Sequence, residues 1–154
     1  MVTLVPINEE NFEAVLALRV AESQSKFVAP TVSSLAECYL YRNNGDVFPF
    51  AIQDKDIVVG FLLLDTDDED HQMTIWRIMI DQAHQGKGYG RQTIEKTIEL
   101  AQSDSTYEIL IADYVKGNEV MGDLLKSIGF KYHSFNKKFN EHVLHYHLNE
   151  SPPE

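Results

Sequence analysis

One domain of the α/β (α+β) class, with a mixed, mostly antiparallel central sheet of about six to seven strands flanked by about four helices, is predicted from three features of the sequence. β-rich runs alternate with segments of helical period, so sheet and helix interleave along the chain. Three middle runs follow one another at hairpin spacing, which makes neighbours antiparallel. A glycine-rich loop sits between a strand-like run and a helical one. At 154 residues and 44% hydrophobic content, the chain can close one core without disulfide or metal staples.

Each element has a local reason. Thr3-Leu4-Val5-Pro6-Ile7 reads as a short first strand, and Asn8 followed by Glu9 and Glu10 opens a helix with Phe12, Val15, Leu16 and Leu18 on one face. Beyond Pro30, Thr31 or Ser33 is expected to cap a second helix carrying Leu35, Ala36, Tyr39 and Leu40, ended by the turn signal Asn43-Asn44-Gly45. Residues 47–53 and 57–64 are strands around Asp54-Lys55-Asp56, and 73–80 is a third beyond the acidic turn at 65–70. Thr93, Ile94, Thr97, Ile98 and Ala101 give the helix after the glycine loop its apolar stripe. A strand at 108–114 and a helix at 119–128 follow, with Gly129 placed to end the helix. Strands at 130–135 and 142–148 surround Asn136-Lys137-Lys138, so the domain spans 1–148 and residues 149–154 read as a frayed tail.

Composition narrows the function. A net charge of −11, from 24 acidic against 13 basic residues, repels phosphate backbones and anionic membranes and attracts cations. Nucleic-acid and membrane partners are therefore not expected. No run of about 18 apolar residues exists and the amino-terminal residues lack a secretory pattern, so a cytoplasmic location is expected. Cys38, the single cysteine, has no second cysteine for a disulfide or zinc pair. The acidic turn from Asp65 fails as a calcium loop, with Asp70 at the glycine position and Trp76 at the glutamate position. His142, His145 and His147 have no third ligand at convincing spacing, so no metal is expected.

Gln85-Gly86-Lys87-Gly88-Tyr89-Gly90 follows a strand and opens a helix, where backbone N–H groups converge on an anion at the positive helix end. It is neither a G-x-G-x-x-G dinucleotide fingerprint nor a G-x-x-x-x-G-K-S/T phosphate loop. Gln85, Gly88 and Gly90, with Arg91 next, do meet the pattern Q/R-x-x-G-x-G/A. With Trp76-Arg77-Ile78-Met79-Ile80-Asp81 before them and Asn118 and Ile128-Gly129-Phe130 after, the chain resembles the GNAT superfamily of N-acetyltransferases. The resemblance runs from Thr3 to about Leu148 and implies a GNAT-like fold and acetyl-CoA as cofactor. It also implies main-chain bonds from Ile78, Met79 and Ile80 to the pantetheine arm, with Gln85, Gly86, Lys87, Gly88, Tyr89, Gly90 and Arg91 around the pyrophosphate. Asn118 would lie near the thioester, and the free N–H at Ile80 would stabilise the oxyanion.

Glu22-Ser23-Gln24-Ser25-Lys26-Phe27-Val28, Ser34-Leu35-Ala36-Glu37, Val59-Gly60-Phe61 and Trp76-Arg77 are similar to the bacterial spermine/spermidine acetyltransferase group. That likeness implies a small-molecule amine acceptor, a polyamine among the candidates, and leaves room for a homodimer. Gln24, Phe27, Asp68, Glu69 and Trp76 are the candidate acceptor contacts; the carboxylates of the acidic turn, Asp65, Asp67, Asp68, Glu69 and Asp70, or an intervening water, are the candidate proton relay, with Glu69 entered as the candidate beside Ile80 and Asn118. Leu125 stands where the family carries the tyrosine that protonates the departing sulfur. Tyr39, Tyr41, Tyr114 and Tyr132 are the phenols that could replace it. An aminoglycoside or a peptide amine is an alternative acceptor, and a catalytically weak acyl-CoA-binding regulatory domain is the alternative class.

Overall fold

The computed structural model describes residues 1–149 as four helices and seven strands in one mixed sheet, so the tail expected at 149–154 lies outside the described residues beyond Asn149. The strands are β1 (Val2–Pro6), β2 (Val47–Asp54), β3 (Ile57–Asp67), β4 (Gln72–Ile80), β5 (Ile109–Val115), β6 (Lys131–Asn136) and β7 (Glu141–His147). The helices are α1 (Phe12–Leu16), α2 (Thr31–Leu40), α3 (Tyr89–Gln102) and α4 (Glu119–Ile128). Sheet order is β1-β2-β3-β4-β5-β7-β6, and only β4 and β5 run parallel. The expected meander β2-β3-β4 is present. The insertion of β7 between β5 and β6 is long-range pairing, which no local pattern announces.

Two apolar layers bury opposite faces of the sheet. The larger joins Ile52, Leu62, Leu64, Ile75, Leu110 and Leu144 to Ile94, Ile98 and Ala101 of α3 and Leu125 of α4. The smaller packs Val15 of α1 and Leu18 on Ala51, Phe61, Leu63 and Met79. β3 lies near the middle, and six consecutive residues, Val59 to Leu64, are buried because both of its faces are covered.

The first two helices differ from expectation. α1 has only five residues. Asn8 and Asn11 exchange backbone-to-side-chain hydrogen bonds of 2.8 and 3.0 Å, and this local turn delays the helix and leaves Phe12 half-exposed. In α2 neither Thr31 nor Ser33 is the cap: Pro30 is, and the Thr31 hydroxyl donates to the Val15 carbonyl at 3.0 Å, tying α2 to α1. Tyr39 and Leu40, expected on the packed face, are exposed, and the packed residues are Thr31, Ser34, Leu35 and Cys38. α4 behaves as read, with Gly129 at φ +125° closing it.

Candidate active site

The site opens where two parallel strands part. β4 and β5 are paired only from Gln72 opposite Ile109 to Ile75 opposite Ala112, after which β4 continues to Ile80 and β5 to Val115 without a ladder between them. Trp76 is the extra residue of a bulge, because Ile75 faces Leu64 while Arg77 faces Leu63. The bulge turns β4 away from β5 and leaves the main chain of the Ile78 to Ile80 stretch unpaired on that side.

A cavity of about 560 Å³ fills this gap. Its walls include Ile78, Met79 and Ile80 of β4, Gly86, Gly88, Tyr89 and Gly90 of the loop, Asn118, Met121 and Leu124 of the α4 region, and Gln24 and Phe27. Gly88 has φ +84° and caps α3 without a side-chain hydrogen bond, so the first N–H groups of α3 have no side-chain acceptor. A Cβ built at Gly86 meets nothing within 4 Å, and one at Gly88 meets only the Gln92 amide at 3.9 Å. The loop therefore leaves an open concavity at a positive helix end, which suits a pyrophosphate. The apolar strip along β4 suits a pantetheine chain whose amides need main-chain partners.

Gln85 and Gln24 hold the mouth together. The Gln85 amide donates to the Gln24 side-chain oxygen at 2.9 Å and to the Ile80 carbonyl at 3.0 Å. His84 also lines this cavity, with its Nδ1 buried and without a hydrogen-bond partner, and no local pattern singles it out.

A second cavity, of about 810 Å³, meets the first at Phe27, Val28, Ile78, Asn118 and Met121. Its carboxylates are Asp65 of β3, Asp113 of β5, Glu141 of β7 and Glu37 of α2, and its aromatic walls include Tyr41, Trp76, Tyr114 and Phe139. Asp65 lies opposite Thr74, Thr74 opposite Ile111, and Asp113 two residues further, so strand alternation brings the acids to one face. Burial first, then the charges of Glu141 and Asp65, pushes Asp113 up to about 7. Burial first, then Asp46 and Asp67, pushes Asp65 up to about 6. Burial also raises Glu141, opposed by Arg77. Arg77 donates to Glu37 at 2.7 Å and to the Ser34 hydroxyl at 3.1 Å.

Among known families, the profile of the acetyltransferase (GNAT) family matches residues 12–130, most of the chain. The chain belongs to the GNAT acetyltransferase family. It is thus an acetyl-CoA-dependent N-acetyltransferase domain. No curated protein sequence matches it. Among solved structures, the GNAT chain is similar to spermidine N-acetyltransferase from Vibrio cholerae in complex with CoA and spermine, with 14% identity over 94% of this chain and 92% of that one and a TM-score of 0.75. An acetyltransferase from Salmonella typhimurium that modifies the N-terminal serine of a ribosomal subunit protein shares 12% identity over 95% and 94% of the two chains, with a TM-score of 0.79. An aminoglycoside acetyltransferase in complex with coenzyme A shares 14% identity over 96% and 95%, with a TM-score of 0.78. At these identities the likeness is one of fold.

Within this GNAT domain, Ile78, Met79, Ile80, Gln85, Gly86, Gly88, Tyr89, Gly90 and Asn118 come together around the first cavity, with Gln24 and Phe27 at its mouth. Lys87 and Arg91 do not line it, and the Arg91 guanidinium instead reaches Ser127 and Glu95. Tyr89 turns its hydroxyl away, donating to Asp54 at 2.6 Å. Trp76 lines the second cavity. Asp68 and Glu69 line neither. They sit at the far end of the nine-residue β4, roughly 26 Å of strand from Ile80, and Asp68 accepts a hydrogen bond from Tyr107 at 2.8 Å. The acids facing the site are Asp65, Asp113 and Glu141, separated in sequence and gathered only by strand pairing.

Leu125, at the position read as the family's tyrosine, is 1% exposed, packed in the main core, and lines neither cavity. Among the candidate phenols, Tyr39 and Tyr132 are exposed and outside both cavities, whereas Tyr41 and Tyr114 line the second. Tyr114 lies over Gly122, where a Cβ would come within 2.8 Å of the phenol oxygen. The absent side chain at position 122 thus makes room for the Tyr114 ring against α4. No helix of the described residues is long and apolar enough to cross a membrane, and among them no group of three metal-capable side chains forms.

Proposed function

We propose that this domain transfers the acetyl group of acetyl-CoA to a primary amine of a small cationic acceptor. The observation that carries the reading is the pair of cavities meeting at Ile78 and Asn118, one an apolar cleft ending at an uncapped helix, the other walled by carboxylates and aromatic rings. When bound, acetyl-CoA supplies an acetyl group activated as a thioester. The α3 N-terminus and Gly88 would hold the pyrophosphate, the unpaired main chain of Ile78 to Ile80 would align the pantetheine arm, and the N–H at Ile80 would donate to the acetyl oxygen.

An amine with a pKa near 10.4 is neutral in only roughly one part in two thousand five hundred at pH 7. The second cavity draws the ammonium in through its carboxylates, and its open side lets water carry the proton away. The neutral nitrogen then attacks the carbonyl carbon and the carbon–sulfur bond breaks. With a thiol pKa of about 8.5, thiolate departure at neutral pH carries a proton mismatch of only about 2 kcal/mol. We take Tyr114, a phenol that lines the second cavity, as the group that relieves it. Tyr114→Phe is expected to lower kcat by up to about tenfold to thirtyfold, with acetyl-CoA affinity unchanged. An unchanged kcat in steady-state assays would assign the proton to water.

Release of free thiol from acetyl-CoA with polyamines, aminoglycosides and amino-terminal peptides tests the function. Polyamines and aminoglycosides are favoured because both are cations that match the acidic cavity. Cofactor binding without acceptor-dependent turnover across the panel would leave a regulatory acyl-CoA-binding domain as the answer.

A further inference from the structure

A primary amine of the chain itself stands beside the place where the two cavities meet. Lys26 lines the second cavity, and the next two residues, Phe27 and Val28, line both. The turn that carries them is pinned on either side of Lys26. On one side the Gln85 amide donates to the Gln24 side-chain oxygen at 2.9 Å, and the Phe27 N–H donates to the Gln24 carbonyl at 2.9 Å. On the other, the Phe27 ring lies against Gly117, where an added Cβ would stand 3.9 Å from a ring carbon, and Gly117 adjoins Asn118 at the junction. The Lys26 ammonium rests over that same ring, 5.2 Å from its centroid.

Little else holds that amine. Of the two cations lining the second cavity, Arg77 is paired with Glu37 at 2.7 Å, whereas Lys26 makes no ion pair among the described residues. A contact between an exposed cation and a ring is a weak hold, and a flexible lysine stem exchanges rotamers within nanoseconds. Rotation about its side-chain bonds sweeps the amine around the Phe27 ring toward Ile78 and Asn118. Among the described lysines, Lys26 alone lines either of the two cavities. Lys138 also lies over an aromatic ring, that of Phe139, but it sits on the β6–β7 turn and lines neither.

Resting on the reading that this domain acetylates amines, we propose that Lys26 is a self-acetylation site, whose Nζ takes the acetyl group of acetyl-CoA bound to the same molecule when no external acceptor is present. The ammonium first gives one proton to water at the open side of the cavity. Its nitrogen then attacks the thioester carbonyl carbon, an N–C bond forms, and the C–S bond breaks with its electron pair on sulfur. The second proton passes to that sulfur. The products are Nε-acetyl-lysine, CoA thiol and a released proton. The acetylated side chain carries no charge, so Arg77 is left as the cavity's cation and the pull on an incoming cationic acceptor increases.

The test is peptide mapping by mass spectrometry of the purified domain incubated with acetyl-CoA and no acceptor. Lys26 is expected to be acetylated at least about tenfold faster than Lys55, an exposed lysine between β2 and β3 that reads background chemical acetylation, because proximity makes the step intramolecular. The rate per molecule should not change with protein concentration, and Gly88→Asp should bring Lys26 down to the background. A second measurement needs no turnover. Bromoacetyl-CoA alkylates a nucleophile beside its reactive carbon with loss of bromide, and it is expected to label Lys26. In Lys26→Arg that label should be lost while CoA affinity, read by calorimetry, stays native. Acetylation of Lys26 no faster than Lys55, modification of Lys137 or Lys138 in its place, a rate that rises with protein concentration, an unchanged rate in folded Gly88→Asp, or a bromoacetyl label absent from Lys26 would overturn the proposal. Thiol release with the amine panel is read separately. Turnover of small amines with Lys26 unmodified refutes self-acetylation and leaves the small-amine reading standing, whereas acetylated Lys26 without turnover of any small amine refutes that reading and leaves self-acetylation standing.

Discussion

Gly88 holds φ at +84° just where α3 begins, a backbone state that side chains other than glycine rarely adopt. The space around its missing Cβ is open to the cavity, so the site depends on an absence of atoms and of charge. Gly88→Asp places a carboxylate against the anion that the helix end attracts, and CoA affinity is expected to fall by at least about a hundredfold. Calorimetry on the folded variant checks this; near-native affinity would remove the loop from the cofactor site. Asp113 argues a second point at this scale. Facing it are Asp65 of β3, with Asp46 and Asp67 beyond, Glu141 of β7, Arg77 of β4 and Glu37 of α2. Its folded value of about 7 lies above the unfolded value of about 3.9, so the native state keeps a proton that the unfolded chain loses. Stability therefore falls as pH rises from about 4 to 7, and the whole penalty is present above 7. Asp113→Asn is expected to raise Tm at pH 8 by at least about 2 °C and to change it little at pH 4, as read by thermal denaturation. A Tm gain independent of pH would contradict the assignment.

At the scale of elements, the decisive event is the parting of β4 from β5 after four paired positions. A bulge at Trp76 on one side and the approach of α4 on the other keep the gap open. α4 can come close to β5 because Gly122 lies against the Tyr114 ring: an added Cβ would stand 2.7 Å from a ring carbon. Gly122→Ala gains helix propensity of about 1 kcal/mol but forces that ring or the helix to move. The net expectation is a loss of about 1–2 kcal/mol in chemical denaturation together with a lower kcat, since the displaced phenol is the one proposed to protonate the departing sulfur. A stabilised variant with native kcat would show that the ring moves freely. The same packing explains Leu125: α4 turns that position into the core, so a tyrosine there would overpack the interior instead of reaching the site.

Over the whole molecule, the charge favours the cationic acceptor proposed above. The net charge of −11 gives a long-range field that raises the local concentration of cations, and the carboxylate cavity focuses it. The KM of the proposed cationic acceptor is expected to rise several-fold between about 0.01 and 0.3 M salt, over which the screening length shrinks from roughly 30 Å to a few ångströms, while kcat stays nearly constant. A salt-independent KM for the best acceptor would remove electrostatic attraction from the account.

Local rules in the sequence determined the meander β2-β3-β4, the helix at 119–128, the glycine loop and the GNAT pattern on Gln85, Gly88 and Gly90, because hairpin spacing, helical period and helix-end chemistry act over a few residues. They were weaker where side chains offer the backbone a competing bond, as Asn8 and Asn11 do at the start of α1. Tertiary structure alone decided which acids face the acceptor cavity. Of the acidic turn conspicuous in sequence, Asp68 and Glu69 sit at a hairpin tip and only Asp65 lines the second cavity, where Asp113 and Glu141, up to 76 positions away, join it because β3, β4, β5 and β7 pair in that order. It also decided that Leu125 packs in the core and that Tyr114 packs against Gly122 of α4. The physical reason is the same in each case: a side chain's environment is set by the register of strands and the rotation of helices against them, and those are fixed by packing between segments distant in the chain.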